Sequence, residues 1–185
     1  MYNMTLRTFD WRQDSRCLYA FLKEDIYQNY FPNKLKTYNQ EAFEKWLSDM
    51  FVQEKFHDFF IIESGDYILG FTFSYDFSSG NEHCHYTLCL YEDYINTGFG
   101  AVAGLKMIDY LFKRYPLKQI YISVAGCYKN SLESSKKGGF EEVGILPDYT
   151  FVNGEYHSLH ILRITRNSFY ENNNNRIDKI IKGER

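Results

Sequence analysis

The sequence predicts an α/β fold, a single domain built on a mixed sheet with its elements in the order βααβββαβαββ. Three observations carry this reading. Aromatic and aliphatic runs of strand length alternate with longer segments whose apolar residues recur at helical spacing. A hairpin signal, Phe59 to Ile62, Ser64-Gly65-Asp66, then Tyr67 to Phe73, precedes the longest helix and calls for antiparallel pairing. A strand, a glycine turn, a helix and a second apolar strand then follow between Cys84 and Val124.

In chain order, Met4 to Phe9 alternates and reads as the first strand. Trp11 to Tyr30 carries Cys17, Leu18, Phe21, Leu22 and Ile26 at helical spacing and stops before Pro32. Asn39 is placed to cap a second helix through Phe43, Trp46, Leu47, Met50 and Phe51. Asp76 to Gly80 turns the chain into the strand Cys84–Tyr91. Val102, Leu105, Ile108, Leu111 and Phe112 mark the long helix, and Gln119 to Val124 is the next strand. Asn130 to Gly138 is a short helix stopped by Gly138-Gly139. Phe140 to Leu146 and Tyr156 to Ile164 are the last strands, with breaks at Pro147-Asp148 and Asn153-Gly154. Residues 1–170 are read as the domain. Residues 171–185, with the Asn172 to Asn175 run, are read as a flexible tail.

Composition excludes several classes. The 185 residues are enough for one substantial core, and 44% hydrophobic with 24% charged residues is ordinary for a globular chain. Net charge is −3 without a basic block, which argues against a nucleic-acid partner. The four cysteines, Cys17, Cys84, Cys89 and Cys127, form no C-x-x-C pair and read as reduced thiols. Neither a signal-peptide core nor a membrane-length apolar run is present, so the expected location is cytoplasmic, away from any membrane. Aromatics reach 19% of residues, which base composition of the genome explains as well as an aromatic pocket does.

The most informative stretch is Tyr86 to Phe112. After a polar break, Gly98-Phe99-Gly100 opens a helix. The first turn of a helix leaves backbone N–H groups without intrahelical acceptors, and its dipole adds positive charge there. Glycines let the backbone approach an anion closely. This is a site for a phosphate-bearing ligand. Gly98 to Ala103 also fits the dinucleotide fingerprint, but the next strand ends Ser123-Val124-Ala125-Gly126 without a carboxylate for a ribose. A nucleoside-triphosphate loop fails because no Gly-Lys-Ser/Thr follows.

The order of elements and the loop resemble the GNAT superfamily of acetyl-CoA-dependent N-acetyltransferases, most strongly from Phe59 to Arg166. The family's pyrophosphate motif, Q/R-x-x-G-x-G/A, matches Ile95-Asn96-Thr97-Gly98-Phe99-Gly100, with Ile95 in place of the usual Gln or Arg. A second block, an Asn-x-x-Ser/Ala helix ending in Gly-Phe, is similar to Tyr128–Phe140. There Ser131 falls on the Ser/Ala position, Tyr128 on the Asn position, and Asn130 lies nearby. The ending, Phe140 to Leu146 with Asn153 to His157 and Ile164-Thr165-Arg166, resembles the branch of ribosomal-protein, spermidine and amino-sugar acetyltransferases.

The resemblance implies acetyl-CoA as cosubstrate, no metal, and a splayed strand pair forming the acyl-CoA cleft. The pyrophosphate would rest on Asn96, Thr97, Gly98, Phe99, Gly100 and Ala101, next to Ile95. Amides near Cys89, Leu90 and Tyr91 would hold the pantetheine and polarise the thioester, and Asn130 and Ser131 would add to the cofactor site. The acetyl group would pass directly to a primary amine on a small molecule or a protein N-terminus. A charged amine must first lose a proton, which costs about 4–5 kcal/mol at neutral pH and calls for a base. In the strand, Cys84, Tyr86, Leu88 and Leu90 make the apolar face, and His83, His85, Thr87 and Cys89 point to a less apolar side.

His85 aligns with a position often held by Glu in the related branch and is the candidate base, against a plain strand-end histidine. The pair His83/His85 lacks a third metal ligand at sensible spacing. Many relatives protonate the thiolate with a Tyr where this chain has Ser135. Cys89 and Cys127 are expected to be buried rather than acyl carriers. The first 56 residues would form the acceptor side, where Glu24, Asp25, Glu41, Glu44, Asp49 and Glu54 slightly outnumber bases. A homodimer stays open as an assembly. The competing reading is a non-catalytic acyl-CoA sensor with the same fold, motivated by Ile95, Tyr128 and Ser135.

Overall fold

The computed structural model describes residues 4–22, 39–53, 57–78, 80 and 82–182. The expected continuation of the first helix beyond Leu22, with Glu24, Asp25 and Pro32, lies outside the described residues, as does Glu54. Seven strands follow the order β1-β2-β3-β4-β5-β7-β6. They are β1 (Met4–Thr8), β2 (Phe59–Ser64), β3 (Tyr67–Tyr75), β4 (His83–Leu90), β5 (Gln119–Ala125), β6 (Glu141–Val152) and β7 (Glu155–Thr165). The described helices are α1 (Trp11–Leu22), α2 (Gln40–Val52), α3 (Phe99–Arg114), α4 (Lys129–Lys137) and α5 (Arg166–Lys182). The sheet is mixed as expected: β4 runs parallel to β5, and the pairs β1/β2, β2/β3, β5/β7 and β6/β7 are antiparallel. The β4/β5 ladder covers only His83–His85 against Gln119–Tyr121, although both strands continue further.

The chain divides into two compact units, Tyr2–Asp76 with Thr87–Ala103, and Phe77–Tyr86 with Gly104–Arg185. In the amino-terminal unit, Asp10 caps α1 through Arg12 N–H at 2.8 Å, and Asn39 caps α2 through Ala42 N–H at 2.8 Å. Leu18, Phe21, Leu22, Phe43 and Leu47 pack with Phe59, Phe71 and Phe73. The three phenylalanines of β2 and β3 stack with centroids 5.3–6.2 Å apart. A second cluster joins Met4, Ile62, Leu69, Leu90 and Ala103. Cys89 and Leu90, adjacent in β4, fall in different clusters, as alternation along a strand requires.

In the carboxy-terminal unit, Cys84, Met107, Leu111, Phe112, Ile120, Leu162, Ile164 and Phe169 are fully buried. Arg166 closes the end of α3. Its guanidinium donates to the carbonyls of Phe112, Tyr115 and Leu117 at 2.5–2.8 Å, satisfying groups that a helix end leaves open. Gly139, with φ 99°, ends the block that begins with α4.

Two expectations are corrected here. The break at Pro147-Asp148 does not end β6, which runs to Val152. A register shift between Leu146 and Thr150 absorbs the proline, and an edge strand tolerates a missing N–H. The flexible tail is also corrected, because α5 continues to Lys182. Phe169, Asn173 and Ile177 recur every fourth residue and are all buried, and Asn173 donates to the Phe169 carbonyl at 3.0 Å. Tertiary burial outweighs the weak helix preference of asparagine.

Candidate active site

The glycine loop sits in the amino-terminal unit, where it leaves β4 and enters α3. A short 3-10 turn, Glu92–Tyr94, follows Tyr91, and Ile95 N–H returns to the Glu92 carbonyl at 3.1 Å. Thr97 Oγ1 donates to the Tyr94 carbonyl at 2.6 Å. Asn96 (φ 63°) and Gly98 (φ 91°) adopt left-handed backbone, and the Gly98 carbonyl accepts from Val102 N–H at 3.3 Å as α3 begins. These two residues turn the chain so that the opening turn of α3, including Gly100 and Ala101, ends at the surface. Space around a Cβ at Gly98 is open, whereas one at Gly100 would stand 3.4 Å from Leu90 Cδ1. Gly98 makes the turn through its left-handed backbone, whereas a Cβ at Gly100 would make only an ordinary contact with the Leu90 side chain. Ile95 is exposed, and Tyr94 packs edge-on to Phe99 at 6.1 Å.

The end of β4 is held tightly. Tyr91 N–H donates to the Leu69 carbonyl at 2.9 Å, its hydroxyl lies 3.2 Å from Cys17 Sγ, and its ring meets Phe21 at 4.3 Å. Of the three amides assigned to the pantetheine and thioester, that of Tyr91 is thus already committed to the sheet. Leu69 sits at an irregularity in the β2/β3 register, where Ile62 faces Gly70 and Glu63 faces Ile68. Cys89 does not face a less apolar side as expected. It is 2% exposed within the aromatic cluster, and burial pushes its thiol well above the usual range. Cys127, expected to be buried, is exposed. Sequence reasoning missed Gly70 and Thr72, whose buried hydroxyl donates to the Thr87 carbonyl at 2.7 Å. A glycine inside the strand YILGFTF was the available signal.

In the carboxy-terminal unit, His85 is half-buried with its Nδ1 atom enclosed. Its ring lies 5.4 Å from that of Tyr121, and His83 lies 5.8 Å from the same ring. Glu82 is exposed and ion-paired with Lys118 at 2.6 Å, which lowers its carboxyl below the usual range. Asn130 and Ser131 lie exposed in the first turn of α4. Ser135 is half-buried on the same helix, and its carbonyl accepts from Phe140 N–H at 3.1 Å. Tyr128 directly precedes α4, and its hydroxyl is buried. Among the described residues, no group of three or more His, Cys, Asp or Glu side chains is arranged to hold a metal ion. No helix among them is long and apolar enough to cross a membrane.

A family model for the acetyltransferase (GNAT) domain matches residues 3–141, more than half of the chain. The chain belongs to the GNAT acetyltransferase family. Its mixed seven-strand sheet is that of a GNAT fold, and the family makes it an acyltransferase. The SPbeta prophage-derived uncharacterized N-acetyltransferase YokL of Bacillus subtilis (strain 168) is 23% identical over 171 residues, covering 90% of this chain and 92% of that protein. Among solved structures, this GNAT chain is similar in fold to the spermidine N-acetyltransferase from Vibrio cholerae in complex with CoA and spermine. The TM-score is 0.79 at 19% identity, over 90% of this chain and 98% of that one. A dodecameric structure of the Vibrio cholerae enzyme in an intermediate state gives a TM-score of 0.77 at 18% identity, over 92% and 98% of the two chains.

Proposed function

We propose that the protein is an acetyl-CoA-dependent N-acetyltransferase that moves the acetyl group directly to a primary amine of a small molecule or a protein N-terminus. The observation that carries this is the loop from Asn96 to Ala101, where left-handed backbone at Asn96 and Gly98 presents the opening turn of a sixteen-residue helix at the surface. Such a turn suits a pyrophosphate, through N–H groups and the positive end of the helix dipole. Cys89 and Leu90 of β4 would serve the pantetheine arm and Ile95 the pyrophosphate; Asn130 and Ser131 are assigned to the cofactor by the family resemblance. The CoA and spermine bound to the Vibrio cholerae neighbour support an acyl-CoA donor and an amine acceptor.

The acceptor nitrogen attacks the thioester carbonyl, the C–S bond breaks, and CoA leaves as a thiolate. His85 takes the proton that the ammonium must lose, directly or through one water. Ser135 positions a water that carries the second nitrogen proton, released as the amide forms, to the thiolate. No metal takes part in this scheme. The dodecameric neighbour supports assembly of more than one copy.

The test is thiol release from acetyl-CoA over a panel containing a polyamine, an amino sugar, an aminoglycoside and an N-terminal peptide. Calorimetry with CoA runs beside it. Turnover of at least one amine together with CoA binding is expected. CoA binding with no thiol release from any amine would make the protein an acyl-CoA sensor instead.

A further inference from the structure

Four side chains from four strands form one lateral row in the carboxy-terminal unit. His85 of β4 is paired with Tyr121 of β5, Tyr121 with Arg163 of β7, and Arg163 with Glu141 of β6. Directly opposed residues of neighbouring strands project from the same face, with Cβ atoms about 5 Å apart. The adjacent row of the ladder, Cys84, Ile120 and Ile164, lies on the other face and is fully buried. The row of His85 is therefore the polar face of this part of the sheet.

Contacts run along the row. The rings of His85 and Tyr121 lie 5.4 Å apart and 30° from parallel. His83 meets the same tyrosine ring edge-on at 5.8 Å. Arg163 donates through Nε and Nη2 to Glu141 Oε1, the first at 2.8 Å, and its Nη1 lies 3.5 Å from Gln119 Oε1. Glu141 first, and the Tyr121 oxygen after it, hold the guanidinium above its ordinary pKa. Tyr121 thus stands between an imidazole and a guanidinium that is itself fixed to the outer strand.

An imidazole has two free side-chain torsions, and a base must present one nitrogen to one proton. An aromatic ring laid against it removes most of that freedom, and small errors of placement cost a transfer reaction heavily. We propose that Tyr121 is a positioning residue for the acyl transfer: its ring, braced beside the Arg163–Glu141 pair, holds the His85 imidazole where it meets the acceptor ammonium. This rests on the reading of His85 as the base, and the test distinguishes failure of that reading from failure of the positioning role alone.

The test uses the full chain, acetyl-CoA and the fastest amine of the panel, with His85→Ala, Tyr121→Leu, Tyr121→Phe and the double variant His85→Ala/Tyr121→Leu. Tyr121→Leu is expected to lower kcat at least tenfold while the KM for acetyl-CoA stays within twofold. Tyr121→Phe, which keeps the ring, should recover most of that loss. On the His85→Ala background the leucine should cost less than twofold. The His85 ring resonances, identified by their absence from His85→Ala, should move in the ligand-free Tyr121→Leu protein. Should the leucine variant not fold, Tyr121→Val, suited to a central strand, is read in the same way.

An unchanged kcat in His85→Ala would remove the base and the positioning role with it. A loss in His85→Ala with none in Tyr121→Leu would overturn the positioning role alone. So would a leucine penalty that persists without His85, a phenylalanine variant as slow as leucine, or unmoved His85 resonances.

Discussion

Gly70 of β3 passes so close to β4 that a Cβ there would stand 2.0 Å from the carbonyl oxygen of Cys89. The Leu90 Cα would be 2.8 Å away. Both neighbours are backbone, so no side-chain rotation relieves the clash. Gly70→Ala must push the two strands apart at the place proposed for the pantetheine arm. It is expected to destabilise the protein by about 2 kcal/mol or more and to weaken CoA binding in whatever fraction folds. Thermal melting and calorimetry check this, with Gly80→Ala, at an open position 3.6 Å from a flexible Glu82 side chain, as the comparison.

The loop glycines should separate by property. Gly98→Ala fits sterically but puts a Cβ on left-handed backbone, a cost of about 1–2 kcal/mol that opposes the turn itself. Gly100→Val puts its branches beside Leu90, at the turn where the pyrophosphate is proposed to approach. Each is expected to raise the CoA dissociation constant at least tenfold, about 1.4 kcal/mol. An unchanged calorimetric constant in folded Gly98→Ala and Gly100→Val proteins would take the loop out of the cofactor site.

His85→Ala is expected to lower kcat about a hundredfold with acetyl-CoA affinity within a few-fold. A neutral imidazole is the active form, so the acidic limb of the wild-type pH–rate profile should move or vanish in the variant. Glu82 is a poor substitute, since Lys118 already holds it at the surface. A pH–rate profile that is the same with and without His85 would make the histidine structural.

The amino-terminal unit has its own pH dependence. Asp14 is buried, with its two oxygens 2.8 and 2.9 Å from Arg7 and Asp10 N–H at 2.7 Å. Burial raises its pKa, but the Arg7 hydrogen bonds, the Asp10 amide and the Arg7 charge together bring it below the ordinary value. A depressed carboxyl contributes stability above its unfolded pKa near 3.9 and loses it as pH falls through the lower folded value. Asp14→Asn should therefore cost about 2 kcal/mol at pH 7 and progressively less below pH 4. Parallel urea titrations at pH 7 and pH 3 would show it; an equal loss at both would assign the effect to packing.

Truncation after Tyr170 removes the turns that bury Asn173 and Ile177. Burying one isoleucine is worth about 2 kcal/mol, so a clear fall in melting temperature is expected. Ile177→Ala should reproduce most of it. Wild-type melting in both proteins would show that α5 contributes nothing beyond Phe169.

Much of this protein was written in short stretches of sequence. Asn39 before an apolar helical repeat, Gly65-Asp66 between two strand runs, and Gly98-Phe99-Gly100 after a strand each act over a few residues. Their backbone preferences survive whatever surrounds them. What tertiary structure alone decided lies between residues far apart in sequence. Gly70 against Cys89 is a fact of two strands touching, and the row His85, Tyr121, Arg163, Glu141 depends on the register of four. The asparagine run reads as solvated by composition, yet α5 forms because Phe169, Asn173 and Ile177 are buried. Local propensity amounts to tenths of a kcal/mol per residue, whereas each buried apolar side chain is worth about 1.5–3 kcal/mol. Where the two disagree, burial decides, and its partners cannot be read from neighbours in the chain.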